Sequence, residues 1–217
     1  MENPKFTRKY LILNEVLNAV THGIAFGLSI AGLVLLLIKG AHLNSPIYTT
    51  AYALYGATLI LLFLSSTLFH SLIFTKAKKV FQVFDHSSIY LLIAGSYTPY
   101  CLLSIKGWLG WALLITIWAL AICGIVYKSI TLHKTENVSK ISTILYILMG
   151  WICVVAIEPL YRALGITGVL LLLFGGIAYT VGAVFYSFKN VRFMHVVWHL
   201  FVMLGAGFIF FSIFFTT

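Results

Sequence analysis

Residues 193–214 read FMHVVWHLFVMLGAGFIFFSIF, a run without one charged side chain. At 1.5 Å per residue, a helix of about that length crosses the ~30 Å hydrocarbon core of a bilayer. The run is continuously apolar, whereas a membrane barrel strand alternates every second residue over about 10 residues, so helix is preferred over barrel. Two histidines, His195 and His199, interrupt it. They lie four apart and so share one helix face.

The same pattern recurs along the chain, with candidate spans at roughly 15–38, 50–74, 82–104, 108–127, 141–158, 165–187 and 193–214. The composition agrees. Of 217 residues, 61% are hydrophobic and 9% charged, with a mean hydropathy of +1.04. A soluble domain does not carry such a surface. Seven helices of about 20 residues consume the length, so the expectation is an all-α integral membrane protein, a single seven-helix transmembrane bundle over residues 1–217. The opening segment is basic and then apolar, like a signal peptide, but Glu15, Asn18 and His22 interrupt it. It reads as the approach to the first span.

The net charge of +9 does not point to nucleic acid, because the basic residues fall in small groups between apolar runs rather than in one patch. Eleven of them fall on one side when the spans alternate: Lys5, Arg8, Lys9, Lys76, Lys78, Lys79, Lys128, Lys134, Lys140, Lys189 and Arg192. Lys39, Lys106 and Arg162 fall on the other. The positive-inside rule then places the N-terminus in the cytoplasm and, after seven crossings, the C-terminus outside. All fourteen are expected at helix ends. Trp108, Trp111 and Tyr161 suit aromatic anchors on the outer side. Cys101, Cys123 and Cys153 are scattered singly and indicate neither a disulfide framework nor a thiolate metal site.

Ionisable groups inside spans are costly, so each needs a partner or a function. Glu15, His22, His70, Asp85, His86, His195 and His199 are the candidates, while Glu2, His133, Glu136 and Glu158 belong to ends and loops. The alternation of spans puts His70 a turn from the cytoplasmic end of the second, Asp85 near the start of the third, and His195 and His199 in the first two turns of the seventh. All four share one depth. Three neutral imidazoles with an open fourth position for water are the usual set of a catalytic zinc site. Asp85 could bond that water or a ligand's second nitrogen, and Ser66, one turn from His70, could orient water or substrate. His86 lies about 100° around the helix from Asp85 and is expected at headgroup level or in packing. Glu15, Asn18 and His22 form a second polar stripe on the first span, with a packing role or one behind the ligands. Tyr90, Tyr97 and Tyr100 read as packing and interface residues.

Three segments carry a resemblance: Ser66-Thr-Leu-Phe-His70, FDHSSIYLLIAGSYTPY from Phe84 to Tyr100, and His195-Val-Val-Trp-His199. Together with the opening ENPKFTRKYLILNEVLNAVTHG, they are similar to the haemolysin III proteins, the bacterial branch of the progestin and adiponectin receptor family. The resemblance covers essentially the whole chain. It implies seven helices, a cytoplasmic N-terminus, a bacterial plasma membrane location and a zinc ion (Zn2+) on His70, His195 and His199, with Asp85 and Ser66 near the water. The wider superfamily includes alkaline ceramidases, which implies an intramembrane zinc hydrolase of a lipid amide or ester drawn from the surrounding membrane lipids. The alternatives are a cytolytic protein, as the family name suggests, or a receptor or ion-conducting protein with a structural zinc.

Overall fold

The computed structural model describes residues 6–134, 140–188 and 190–217, with side chains except at 132–134 and 140. Glu2, Lys5, Glu136 and Lys189 lie outside the described residues, as do the side chains of His133, Lys134 and Lys140. Every regular element among the described residues is helical: α1 (Arg8–His42), α2 (Pro46–Ser71), α3 (Lys78–Pro99), α4 (Gly107–Lys134), α5 (Lys140–Trp151), α6 (Ile157–Ser187) and α7 (Met194–Thr216). A π-helical turn, Tyr100–Ile105, extends α3, and a 3-10 segment, Ile152–Ala156, joins α5 to α6. Local chemistry sets several ends. The Thr7 hydroxyl accepts from the Tyr10 amide at the start of α1, and Pro46 opens α2, where its missing N–H costs nothing.

Among the described residues, six stretches are long and apolar enough to cross a membrane: Arg8–His42, Pro46–Ser71, Lys78–Ile105, Gly107–Thr131, Ile141–Ser187 and Met194–Thr216. The fifth is 47 residues long. Its helix breaks ahead of Pro159, which cannot donate to the preceding turn. It then reverses at Gly165, whose φ of 64° and ψ of −176° match the turn at Lys106, φ 54° and ψ −176°, between α3 and α4. The reversal is visible in one bond: Trp151 Nε1 donates to Thr180 Oγ1 at 3.0 Å. In an unbroken helix those residues would stand about 43 Å apart.

The break in α5 frees backbone groups that lipid could not satisfy. Tyr97 of α3 takes them up. Its hydroxyl lies 2.9 Å from both the Met149 and Gly150 carbonyls and accepts from the Cys153 amide at 2.7 Å. Tyr97 is therefore more than a packing residue, because it holds the broken helix against the bundle.

α1 packs along α2, α2 along α3 and α6 along α7, with α1 closing against α7. The buried face of α1 is Asn14, Asn18, His22, Ala25, Ser29, Gly32, Leu36 and Gly40, a row of mostly small or polar side chains that lets its neighbours approach closely. The tightest approach is α2 on α3, where a Cβ at Gly95 would overlap Thr58 Oγ1. Gly95→Ala is expected to destabilise the bundle by about 1–3 kcal/mol. Thermal unfolding in detergent checks it against Gly27→Ala and Gly207→Ala, where a Cβ meets nothing within 4 Å. A midpoint no lower than theirs would contradict the close packing.

Among the described residues, one basic residue departs from helix-end placement, whereas Lys39 stands in the last turn of α1 as expected. Lys128 corrects the expectation: nothing after Tyr127 breaks a helix, so α4 runs on to Lys134 and carries Lys128 into the bundle, 1% exposed. Lys39 donates to the Phe214 carbonyl at 2.7 Å and sits 5.7 Å from the Tyr52 and Phe214 rings. It thereby neutralises the carbonyl end of α7. Trp108, Trp111 and Tyr161 are exposed.

Candidate metal centre

The last turn of α2 brings in His70, and the first two turns of α7 bring in His195 and His199. Their rings form a near-equilateral triangle, with centroids 5.0 Å apart for His70–His195, 4.9 Å for His70–His199 and 4.7 Å for His195–His199. One nitrogen from each lies within 4.8 Å of the others, so the three can hold a metal ion. His70 and His199 are buried, at 4% and 2% exposure.

α1 supplies the groups that orient two of these rings. The Glu15 carboxylate, Oε2, lies 2.6 Å from His70 Nδ1. With that nitrogen donating, His70 Nε2 is left as a lone-pair acceptor, buried and without a hydrogen-bond partner. A buried, unmet nitrogen facing two other imidazoles is the state expected of a metal ligand. His199 Nδ1 lies 3.3 Å from the Asn18 carbonyl and 3.4 Å from Thr21 Oγ1, which turns its Nε2 toward the triangle. The donor set and the unmet nitrogen both fit a metal.

Glu15 is itself held by a chain of bonds reaching the start of α7. The Phe193 amide donates to the Tyr10 hydroxyl at 2.9 Å, Tyr10 donates to Asn14 Oδ1 at 3.4 Å, and Asn14 Nδ2 donates to Glu15 Oε1 at 3.3 Å. Arg192 stands 5.7 Å from the Tyr10 ring, and Phe193 is left-handed with φ 60°. One surface of α1 thus fixes α2 and α7 together at the level of the histidines. Glu15→Gln keeps the shape but loses the charge on the His70 bond, and is expected to weaken metal affinity about 10–100-fold. Competition with a calibrated chelator measures it. Unchanged affinity would make Glu15 a packing residue only.

His22, the other member of the polar stripe, stacks on His199 with centroids 3.6 Å apart and rings 9° from parallel, its edge against Phe63. Both its nitrogens are buried and without partners. His22, Ser66, Asp85, His195 and His199 all line one cavity of about 260 Å³ that continues between α3, α5, α6 and α7 as far as Leu160, Val169 and Ile209. Its wall is mostly apolar.

His86 packs inside the bundle, one of the two places expected for it, and also reaches the cavity wall. Its Nδ1 lies 2.8 Å from the Gln82 carbonyl and 3.4 Å from Asp85 Oδ2. Sequence reasoning did not single out Asn14, Tyr10 or Tyr186, whose ring lies 5.5 Å from that of His195. Asn14 stands one turn before Asn18 and two before His22, so extending the polar stripe backwards would have found it.

Comparison with known proteins gives one family. The profile described as Haemolysin-III related matches residues 10–210. The chain is 45% identical over 212 residues to Hemolysin-3 of Bacillus cereus, covering 97% of this chain and 95% of that protein. It is 43% identical over 206 residues to the Hemolysin-3 homolog of Bacillus subtilis strain 168, covering 95% of each. A more distant relative is the monocyte to macrophage differentiation factor of Homo sapiens, 30% identical over 128 residues, 58% of this chain and 51% of that one.

Proposed function

This chain belongs to the haemolysin-III-related family, and we propose that it is a zinc-dependent hydrolase of a lipid amide or ester, acting within the bacterial plasma membrane in lipid homeostasis. It is a multi-pass membrane protein. In this reading the Ile141–Ser187 stretch, doubled back at Gly165, counts as two crossings, which makes seven. The excess of Lys and Arg puts the N-terminus and the histidine end at the cytoplasm and the C-terminus outside.

One observation carries the proposal. A buried, unpartnered His70 Nε2 faces two more imidazoles at one end of a mostly apolar cavity. An all-imidazole set with room for a further ligand favours zinc in a catalytic rather than a structural role. When bound there, zinc lowers the pKa of water to about 7 and polarises a carbonyl. The chain's own groups do the rest. Asp85 accepts the proton from the attacking water, and Ser66 positions the reacting groups. Glu15 and the Asn18 carbonyl keep His70 and His199 aimed. The apolar wall takes the acyl chain and excludes bulk water. Val154, Ile157 and Leu173 line the cavity and are themselves exposed, which supports lateral access from the bilayer between α5 and α6.

The test is turnover of a panel of lipid amides and esters by zinc-loaded protein in nanodiscs, with chelated protein as control. Zinc-dependent release of fatty acid supports the reading. Full zinc occupancy with no turnover on any lipid overturns it, and lysis of red cells by purified protein that survives His70→Ala would favour a cytolytic role instead.

A further inference from the structure

Polar groups return to the cavity wall beyond the histidines, at Tyr100 in the π-helical turn and Tyr179 on α6. The Tyr100 hydroxyl is buried and makes no hydrogen bond of ordinary geometry. Beside Tyr100 stands Ser212, whose own hydroxyl donates to the Gly168 carbonyl at 2.9 Å. The Tyr179 ring lies flat against α7 because Gly205 has no side chain there; a Cβ would meet three ring atoms at 3.0 Å. The π-helical turn and α6, which pack together, thus bring two phenols to the cavity wall, and the Tyr100 hydroxyl has unmet bonding capacity. Buried polar atoms rarely stay unmet unless something else meets them.

The distance to the metal centre is set by α6. Tyr186 contacts His195, and Tyr179 lies two turns along the same helix, about 10 Å at 1.5 Å per residue. Ala183 and Val202 line the interval. A ligand that reaches both ends therefore has a polar group at the histidines, an apolar stretch, and then a neutral hydrogen-bonding group. Phenol hydroxyls both donate and accept, so they complement a hydroxyl or carbonyl rather than a charge.

We propose that Tyr100 and Tyr179 form a second recognition point in the cavity, selecting lipids whose acyl chain carries a mid-chain hydroxyl. This rests on the reading that the cavity accommodates a lipid chain, and the experiment separates the two. Zinc-loaded full-length protein is titrated with stearate and with stearate bearing a mid-chain hydroxyl, each competing against a fluorescent fatty acid. The hydroxylated chain is expected to bind about fivefold more tightly to the wild type, the factor given by about one net hydrogen bond. Tyr100→Phe and Tyr179→Phe should each bind plain stearate as the wild type does and lose the preference. Equal affinity for the two acids in the wild type, or a preference that survives both substitutions, overturns the phenol site while leaving the lipid reading intact. Failure of either acid to compete overturns both.

Discussion

His199→Ala protein is expected to bind zinc at least about 100-fold more weakly than the wild type, beyond the ~10–100-fold expected from loss of a hydrogen-bond partner behind a ligand. His199 is the most enclosed of the three imidazoles, at 2% exposure, and its ring centroid lies within 5 Å of both His70 and His195. Alanine leaves two imidazoles from different helices. The nearest spare imidazole, His22, is stacked face to face on the position being vacated and does not belong to the group whose nitrogens converge. His22→Ala is therefore the informative control. It removes a buried ring of similar size beside the site, and should lose much less zinc. Elemental analysis of both variants, followed by chelator competition, reads the difference. A second readout is stability: zinc that binds only the folded chain raises its unfolding temperature, so chelator should lower that of the wild type and leave His199→Ala unmoved. Full zinc in His199→Ala would remove it from the ligand set.

The sequence carried the convergence of the three imidazoles further than any single motif could. The apolar runs set the alternation of helices, and alternation alone puts the end of α2 at the same depth as the start of α7. That His195 and His199 share a face follows from their spacing. The groups behind the ligands were harder to read. Glu15 and His70 are 55 positions apart, and only the packing of α1 on α2 pairs them. The acceptor for His199 is the Asn18 backbone carbonyl, which every residue possesses, so no residue type announces it. That His86 also lines the cavity could not be read from its angle to Asp85, because neighbouring helices set how far the cavity extends. Lys128 was misplaced because the end of an apolar run is not the end of a helix. Pro159 signals the break in α5, but nothing in the chain order says that Tyr97 mends it.

Asp85→Asn should leave zinc binding within about a factor of two and reduce turnover on the wild type's preferred lipid by about 10²–10⁴, the usual contribution of a positioned general base. The geometry around Asp85 is what permits this role. Its carboxylate lines the cavity and has His86 Nδ1 3.4 Å from Oδ2, but that ring nitrogen has a shorter contact, 2.8 Å, with the Gln82 carbonyl. The Ser88 hydroxyl bonds the Asp85 backbone carbonyl rather than the carboxylate. The carboxylate thus keeps capacity to accept a proton. Asparagine is nearly the same shape, so helix packing and the histidine triangle should survive, but its amide cannot take a proton from water. Ser66→Ala, which removes an orienting hydroxyl and no base, should cost far less. If Asp85 only buttressed α3, Asn and Ala would reduce turnover and thermal stability in proportion. A proton acceptor predicts instead a loss of turnover at unchanged zinc content and unchanged unfolding temperature. Asp85→Asn turning over lipid at the wild-type rate would exclude that role and leave the cavity without its proposed base.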